Sequence, residues 1–228
     1  MIESTNSQVK LWEFKFDKIG SLFKNPETGK YDIGPLPDGL GGPYGTATEY
    51  YRAWAAQNIS TPGATSDFVS RVDEVSSLMS KHDDGLFRLV HPDFGHNNMI
   101  VDDEFNILGV IDWEKAFVGP VEMAARFPLR LQMYPQALLP LARDADGRIV
   151  DKQSREKFED RELFMAAVES QEDQLLVSPR LSTAMTGAPV DVLFLIRMWE
   201  ERMPWLYNYQ PGVENGVIAV LNNLRLRD

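Results

Sequence analysis

The stretch that decides the fold is residues 89–114, LVHPDFGHNNMIVDDEFNILGVIDWE. Two short apolar runs within it, residues 99–101 and 107–111, flank the sequence Asp-Asp-Glu-Phe-Asn at 102–106. Apolar runs that are joined by turn-forming residues predict a β-hairpin, and we interpret the aspartates at its tip as solvated turn residues. An earlier apolar run, residues 86–90, predicts a further strand that ends just before His91.

Oxygen-bearing side chains stand at the open end of this predicted hairpin. Asn98 precedes its first strand, Asp112 follows its second strand, and Asp93 lies shortly before Asn98 in the chain. We therefore expect the three side chains to converge on one open cleft. Two carboxylates and a carboxamide suit Mg²⁺, a hard cation that is usually bound by one or two carboxylates together with substrate phosphates.

The spacing His91-x-Asp93-x-x-x-x-Asn98 matches the kinase catalytic loop, in which the aspartate accepts a hydroxyl proton and the asparagine holds a metal. Trp-Glu follows Asp112 instead of Phe-Gly, so the chain does not look like a protein kinase. The stretch instead resembles the aminoglycoside phosphotransferase and choline kinase family, especially its fungal members. The resemblance implies that Asp93 is the catalytic base and that His91 supports the loop. It also implies that Asn98 and Asp112 bind the cofactor as Mg²⁺ ligands.

The resemblance extends to the phrases FDKIGSLF at 16–23 and YDIGPL at 31–36, which flank a turn and predict a second hairpin. In the family this phrase lies where the C-terminal lobe begins. We therefore expect one α+β, mainly α-helical domain over residues 1–228, a protein kinase-like C-terminal lobe with small β-hairpins. The N-terminal β-sheet lobe is expected to be absent or vestigial, because the residues ahead of the phrase are too few for such a sheet. Lys10 and Lys15 are the nearest candidates for its phosphate-binding lysine.

Residues 39–45, GLGGPYG, are rich in glycine and lead into a predicted helix that runs to about residue 58. The helix starts with the capping box Thr46-Ala47-Thr48-Glu49. A glycine-rich helix entry can bind an anion, although such a sequence is more often a turn. The resemblance also implies an acidic residue that helps to hold the metal loop. Glu122 is the candidate, but we interpret it as a solvated first-turn glutamate.

Helical patterns occur elsewhere in the chain, and one segment is ambiguous. Residues 9–16 fit a strand or the last turns of a helix equally well. Apolar spacing predicts helices from residue 66 or 67 to about 82, and over 154–176, 189–207 and 213–224. The inner side of the helix over 154–176 is expected to carry four apolar residues, Phe158, Met165, Val168 and Leu175.

The composition narrows the classes of function. A net charge of −11 argues against a nucleic-acid partner, which requires clustered Lys and Arg. The absence of cysteine excludes disulfides and thiolate metal sites. No apolar run approaches the ~20 residues that span a bilayer, and the N-terminus lacks an apolar signal core. We expect a soluble cytoplasmic protein with a small-molecule substrate, no nucleic-acid or membrane partner, and a possible homo-oligomeric state.

Two hypotheses of function follow. The first is a small-molecule O-phosphotransferase that uses Mg²⁺ and ATP or another nucleoside triphosphate; without an N-terminal lobe, ATP binding is expected to be weak. The second is a repurposed kinase fold without phosphotransfer. In that case the acidic pocket would bind a small ligand, or Asp93 would serve as the base of a lyase, cyclase or isomerase.

Overall fold

The computed structural model describes residues 2–37, 39–59, 85–104, 106–132 and 141–186. It contains both helices and small antiparallel sheets, as the α+β prediction requires. The helices are α1 (Ile2–Glu13), α2 (Ala47–Ile59), α3 (Val121–Ala124), α4 (Lys152–Leu175) and α5 (Leu181–Met185), with 3-10 turns at His96–Asn98 and Leu129–Leu131. The strands are β1 (Ser21–Lys24), β2 (Tyr31–Gly34), β3 (Arg88–Val90), β4 (Met99–Val101), β5 (Ile107–Val110) and β6 (Phe117–Gly119). The helices predicted over 66–82, 189–207 and 213–224 lie outside the described residues. No helix within the described ranges is long and apolar enough to cross a membrane.

The chain forms two compact units that alternate along the sequence. The first unit comprises Met1–Val9, Phe94–Val110 and Ala125–Asp228, and the second comprises Lys10–Asp93 and Ile111–Ala124. Because the segments alternate, no single cut in the sequence separates the units. The single domain over 1–228 stays a prediction.

The second unit contains the predicted N-terminal hairpin and a ladder between distant strands. Strand β1 pairs with β2 in antiparallel register, from Ser21 opposite Gly34 to Lys24 opposite Tyr31. The Asn25 side chain forms the turn by accepting hydrogen bonds from the N–H groups of Glu27 and Thr28. The ladder joins β3 to β6, with Arg88 opposite Gly119 and Val90 opposite Phe117. Strand β3 was predicted from the sequence, whereas β6 was not.

The ambiguous segment at 9–16 belongs largely to a helix. Buried residues Thr5, Val9 and Trp12 recur along α1 at intervals of four and three, which places them on one helical face. Within the described residues 2–37 and 39–59, the strands are β1 and β2 alone. The lysine candidates Lys10 and Lys15 are both exposed, and Lys10 lies in the last turn of α1.

The first unit contains the predicted hairpin of β4 and β5, in which Met99 pairs with Val110 and Ile100 with Gly109. Its turn is held by Asp102, whose Oδ1 accepts from the backbone N–H groups of Glu104 at 3.1 Å and Asn106 at 2.8 Å. This is the turn chemistry that the sequence predicted.

Helix α4 confirms the predicted long helix but presents a different inner face. Its buried residues are Phe164, Val168 and Glu172, at intervals of four, and the Phe164 ring packs 6.0 Å from that of Phe127. The prediction of Leu175 on the inner side was wrong, since this side chain is 41% exposed. Phe158 and Met165 are only half-buried. The spacing of apolar residues could not predict this buried face, because one of its three residues is a glutamate.

Buried Glu172 fastens α4 to the start of α5. Its carboxylate accepts from the backbone N–H of Ser182 at 3.0 Å and from the Ser182 hydroxyl at 2.6 Å. The Arg180 guanidinium lies 3.4 Å from the same carboxylate. Both partners compensate the cost of placing a carboxylate in the interior.

Candidate functional site

The ladder of β3 and β6 brings the Asp93 loop and the Asp112 segment to one end of the second unit. Asp93 follows β3 after three residues, and Asp112 precedes β6 by five residues. Because the two strands are antiparallel, the end of β3 and the start of β6 lie at the same edge of the ladder. The sequence alone did not predict this pairing.

His91 connects the two segments through both nitrogens of its ring. The backbone N–H of Asp93 donates to His91 Nδ1 at 3.2 Å, and His91 Nε2 lies 2.9 Å from the carbonyl oxygen of Ile111. A backbone amide can only donate, so Nδ1 is the acceptor and the neutral ring carries its proton on Nε2. The Nε2–H group then donates to Ile111. The role of His91 in supporting the loop stays a prediction.

The same imidazole contacts the residue on the other side of Asp112. The Trp113 ring packs against His91 edge to face, with centroids 4.7 Å apart and an interplanar angle of 71°. Asp112 itself has φ of +67°, in the left-handed region that non-glycine residues rarely occupy. Such a conformation costs about 1–3 kcal/mol and persists only where the surroundings enforce it. His91 contacts both neighbours of Asp112, the Ile111 carbonyl and the Trp113 ring.

The predicted site residues fall into different units. His91, Asp93 and Asp112 belong to the second unit, whereas Asn98 belongs to the first. Asn98 is buried at the end of the 3-10 turn His96–Asn98, directly before β4, and its N–H donates to the Gly95 carbonyl at 3.0 Å. Asp112 is exposed and Asp93 is half-buried. Convergence of all three oxygen ligands stays a prediction that rests on the sequence spacing.

The donor set has the chemistry that Mg²⁺ requires. Hard oxygen ligands from carboxylate and carboxamide groups suit this cation, and Asp112 is an exposed residue. Among the described residues, no three His, Cys, Asp or Glu side chains are placed to hold a metal together. The predicted set contains two carboxylates and one carboxamide, and Mg²⁺ commonly completes such a set with waters and phosphate oxygens.

Glu122 is buried, so its interpretation as a solvated glutamate was wrong. It lies in α3, which packs against β3, and only 3% of the residue is exposed. The Tyr51 hydroxyl, also buried, lies 3.5 Å from Glu122 Oε2, at the limit of a hydrogen bond. The burial follows from the packing of α3 on a strand that is distant in sequence, which a first-turn pattern does not reveal.

The glycine-rich segment at 39–45 leads into α2, and two N–H groups at this helix entry are already bonded to one side chain. Glu49 Oε2 accepts from the N–H groups of Gly45 at 3.0 Å and Thr46 at 3.2 Å. The Thr46 hydroxyl in turn accepts from the Glu49 N–H at 3.1 Å, which completes the predicted capping box. An anion bound to the N–H groups of Gly45 and Thr46 would have to displace the Glu49 carboxylate. The structure therefore favours the turn over the anion site.

One buried charge near the site was not singled out from the sequence. Arg88 in β3 is fully buried, and its guanidinium carbon lies 4.5 Å from the centre of the Trp12 ring. None of its three side-chain nitrogens donates to an acceptor in the described part of the chain. Burial lowers the pKa of this guanidinium below its ordinary value. A desolvated cation–π contact stabilises by about 2 kcal/mol, less than the several kcal/mol that burying an ion costs.

Comparison with known proteins supports the resemblance found in the sequence. The family model described as "Phosphotransferase enzyme family" matches residues 37–123, a stretch that contains His91, Asp93, Asn98 and Asp112. The match confirms the resemblance over that stretch, which is less than half of the chain. The comparisons with curated proteins and with solved structures each returned no match.

Proposed function

From the phosphotransferase family match over residues 37–123, we propose that the protein is a small-molecule O-phosphotransferase that uses a nucleoside triphosphate and Mg²⁺. The observation that carries the proposal is the position of His91. One imidazole bonds to the backbone of Asp93 and holds both neighbours of Asp112. The proposed base and a proposed metal ligand are thereby fixed by the same side chain.

Asp93 is the proposed general base. The hydroxyl oxygen of the acceptor attacks the γ-phosphorus, the bond from that phosphorus to the leaving diphosphate breaks, and the hydroxyl proton passes to the Asp93 carboxylate. The hydrogen bond from the Asp93 N–H to His91 fixes the backbone from which this carboxylate extends. Proton transfer to a positioned side chain contributes typically 10²–10⁴-fold to rate.

Asp112 and Asn98 are the proposed Mg²⁺ ligands. When bound, Mg²⁺ neutralises charge on the β- and γ-phosphate oxygens. The constrained backbone of Asp112 supports its part of this assignment, because strained residues cluster at ligand sites. The part of Asn98 is supported by its sequence position and by its place next to β4.

Phosphate transfer and metal binding together test the proposal. Purified protein would be incubated with γ-labelled ATP, Mg²⁺ and a panel of small hydroxyl compounds, and Mn²⁺ binding would be followed by titration calorimetry. We expect Asp93→Asn to reduce label transfer at least 100-fold with little change in Mn²⁺ affinity. Asp112→Asn should reduce both. Asp103→Asn removes an equal charge from an exposed turn and is the matched control, expected to change neither.

The repurposed-fold hypothesis predicts different results in the same experiment. A lyase, cyclase or isomerase that uses Asp93 as base would lose activity in Asp93→Asn and retain it in Asp112→Asn. A protein that transfers no label to any acceptor, and whose activity survives Asp112→Asn, would contradict the phosphotransferase proposal.

A further inference from the structure

Arg88 presents an unusual combination of charge, burial and free donors. The residue is fully buried, and neither Nε nor either terminal nitrogen donates to a protein acceptor among the residues that the structure describes. A guanidinium has five N–H donors and no acceptor, and it stays charged at neutral pH. Buried polar groups are nearly always hydrogen-bonded, so a fully buried fork of donors points to an acceptor that the described residues do not supply.

The surroundings of Arg88 determine where that acceptor can lie. The guanidinium carbon lies over the Trp12 ring, 4.5 Å from its centre, and Trp12 is itself only 3% exposed. The N–H bonds of a guanidinium lie in its plane and point away from its face. Trp12 offers these N–H groups no oxygen acceptor, and the three guanidinium nitrogens are buried without one among the described residues.

Neighbouring residues on the same face of the ladder are apolar. Arg88 and Val90 alternate with the less buried Leu89, so they share one face of β3. Opposite them, a side chain added at Gly119 would meet the Phe117 ring at 2.7 Å and Val90 at 3.0 Å. That space is filled, and apolar groups fill it. The acceptor must therefore lie on a side of the guanidinium that Phe117 and Val90 do not fill.

We propose that Arg88 is the centre of a binding site for a small oxyanion, such as inorganic phosphate, sulfate or a small carboxylate. An anion rather than a neutral acceptor is expected because the group to be matched is a permanent cation. Two oxygens of one oxyanion can accept from two parallel N–H groups of the fork, which is the geometry that distinguishes arginine from lysine. Because the Arg88 nitrogens are fully buried, any anion contacts them only after local rearrangement, and a small oxyanion requires less of it than a nucleotide does. The site is thus separate from the proposed phosphotransfer reaction and does not depend on it.

Full-length protein titrated with single anions provides the test. Thermal unfolding and calorimetry would be measured with inorganic phosphate, sulfate, acetate and malonate at constant ionic strength, with chloride as reference. Saturable stabilisation by phosphate and sulfate but not the carboxylates would identify a tetrahedral oxyanion, and the reverse would identify a carboxylate. Absence of saturable binding by all four up to about 10 mM would overturn the proposal.

Variants assign the effect to Arg88. We expect Arg88→Lys, which keeps the charge but loses the planar fork, to weaken the binding of the effective anion at least 10-fold, and Arg88→Met to abolish it. Asp93→Asn and Asp112→Asn should leave the response unchanged, which separates this site from the proposed phosphotransfer site. An equal response in wild type and Arg88→Lys would contradict the proposal. If both Arg88 variants fail to fold, the guanidinium ¹⁵N–¹H resonances of the wild type decide, since they must shift with the titrated anion.

Discussion

His91 offers the sharpest test of how the site is held together, because different substitutions remove different contacts. In Asn the side-chain carbonyl can replace Nδ1 and accept from Asp93, but it cannot reach Ile111. In Gln the side-chain amide can replace Nε2 and donate to Ile111, while the acceptor for Asp93 is lost. Phe keeps the edge-to-face contact with Trp113 and removes both hydrogen bonds.

The expected losses follow from the number of bonds removed. A net hydrogen bond contributes about 0.5–1.5 kcal/mol, so His91→Asn and His91→Gln should each cost about that much. His91→Phe should cost about 1–3 kcal/mol. For a chain of this length that corresponds to roughly 2–12 °C in melting temperature, at about 2–4 °C per kcal/mol.

Urea and thermal unfolding followed by circular dichroism would measure these costs. His96→Gln is the matched control, because His96 is exposed in the same loop and its replacement should change stability by less than about 0.5 kcal/mol. A His91→Phe protein as stable as this control would refute the bridging role of the imidazole. Under the proposed function, His91→Gln should also retain more Mn²⁺ affinity than His91→Asn, because Gln still holds the residue before Asp112.

Three further predictions concern stability. Glu172→Ala should lower the free energy of unfolding, measured in urea, by about 2–4 kcal/mol, because it leaves two donors of Ser182 without their acceptor. Asp173 is 72% exposed, and Asp173→Ala is the control that should have little effect. Similar losses for both variants would contradict the prediction. Leu176→Gly should raise the unfolding free energy by up to about 1 kcal/mol, because Leu176 ends α4 at φ of +55° with 86% of its surface exposed; a less stable variant would oppose the argument. Hydrogen bonds from Ser154, first from its backbone N–H, lower the pKa of Asp151 in the folded state. The Asp151 carboxylate therefore stabilises the fold above its unfolded-state pKa, and this stabilisation is lost as the pH falls through the lower folded-state pKa. The difference in melting temperature between wild type and Asp151→Ala should therefore be largest near pH 7 and shrink below about pH 4, and a difference that grew in acid would be inconsistent with that sign.

The features that the sequence predicted well are those decided by neighbours in the chain. The capping box needs only Thr46 and Glu49, and the tip of the β4–β5 hairpin needs only Asp102 and the amides that follow it. Asn25 forms the other turn in the same way. In each case one polar side chain satisfies backbone groups within four residues, so the local sequence carries the whole signal.

The features that the sequence missed depend on partners that are distant in the chain. Strand β6 is only three residues long, and it is a strand because it pairs with β3. Glu122 and Arg88 are charged residues, which a periodicity argument places at the surface, yet both are buried by tertiary packing. The role of Trp113 was missed for the same reason, since its contact with His91 spans the entire β4–β5 hairpin.

The positive φ of Asp112 lowers the stability of the folded chain, yet this residue supplies a proposed metal ligand. Glycine would adopt φ of +67° without a steric penalty, and asparagine would do so more readily than most residues, but neither carries a carboxylate. Substitutions that relieve the backbone at this position therefore remove the proposed metal ligand. Selection of variants for thermal stability alone would favour loss of the aspartate, whereas selection for phosphate transfer would retain it. Residue 112 is thus a position at which a stability screen and an activity screen should choose different amino acids.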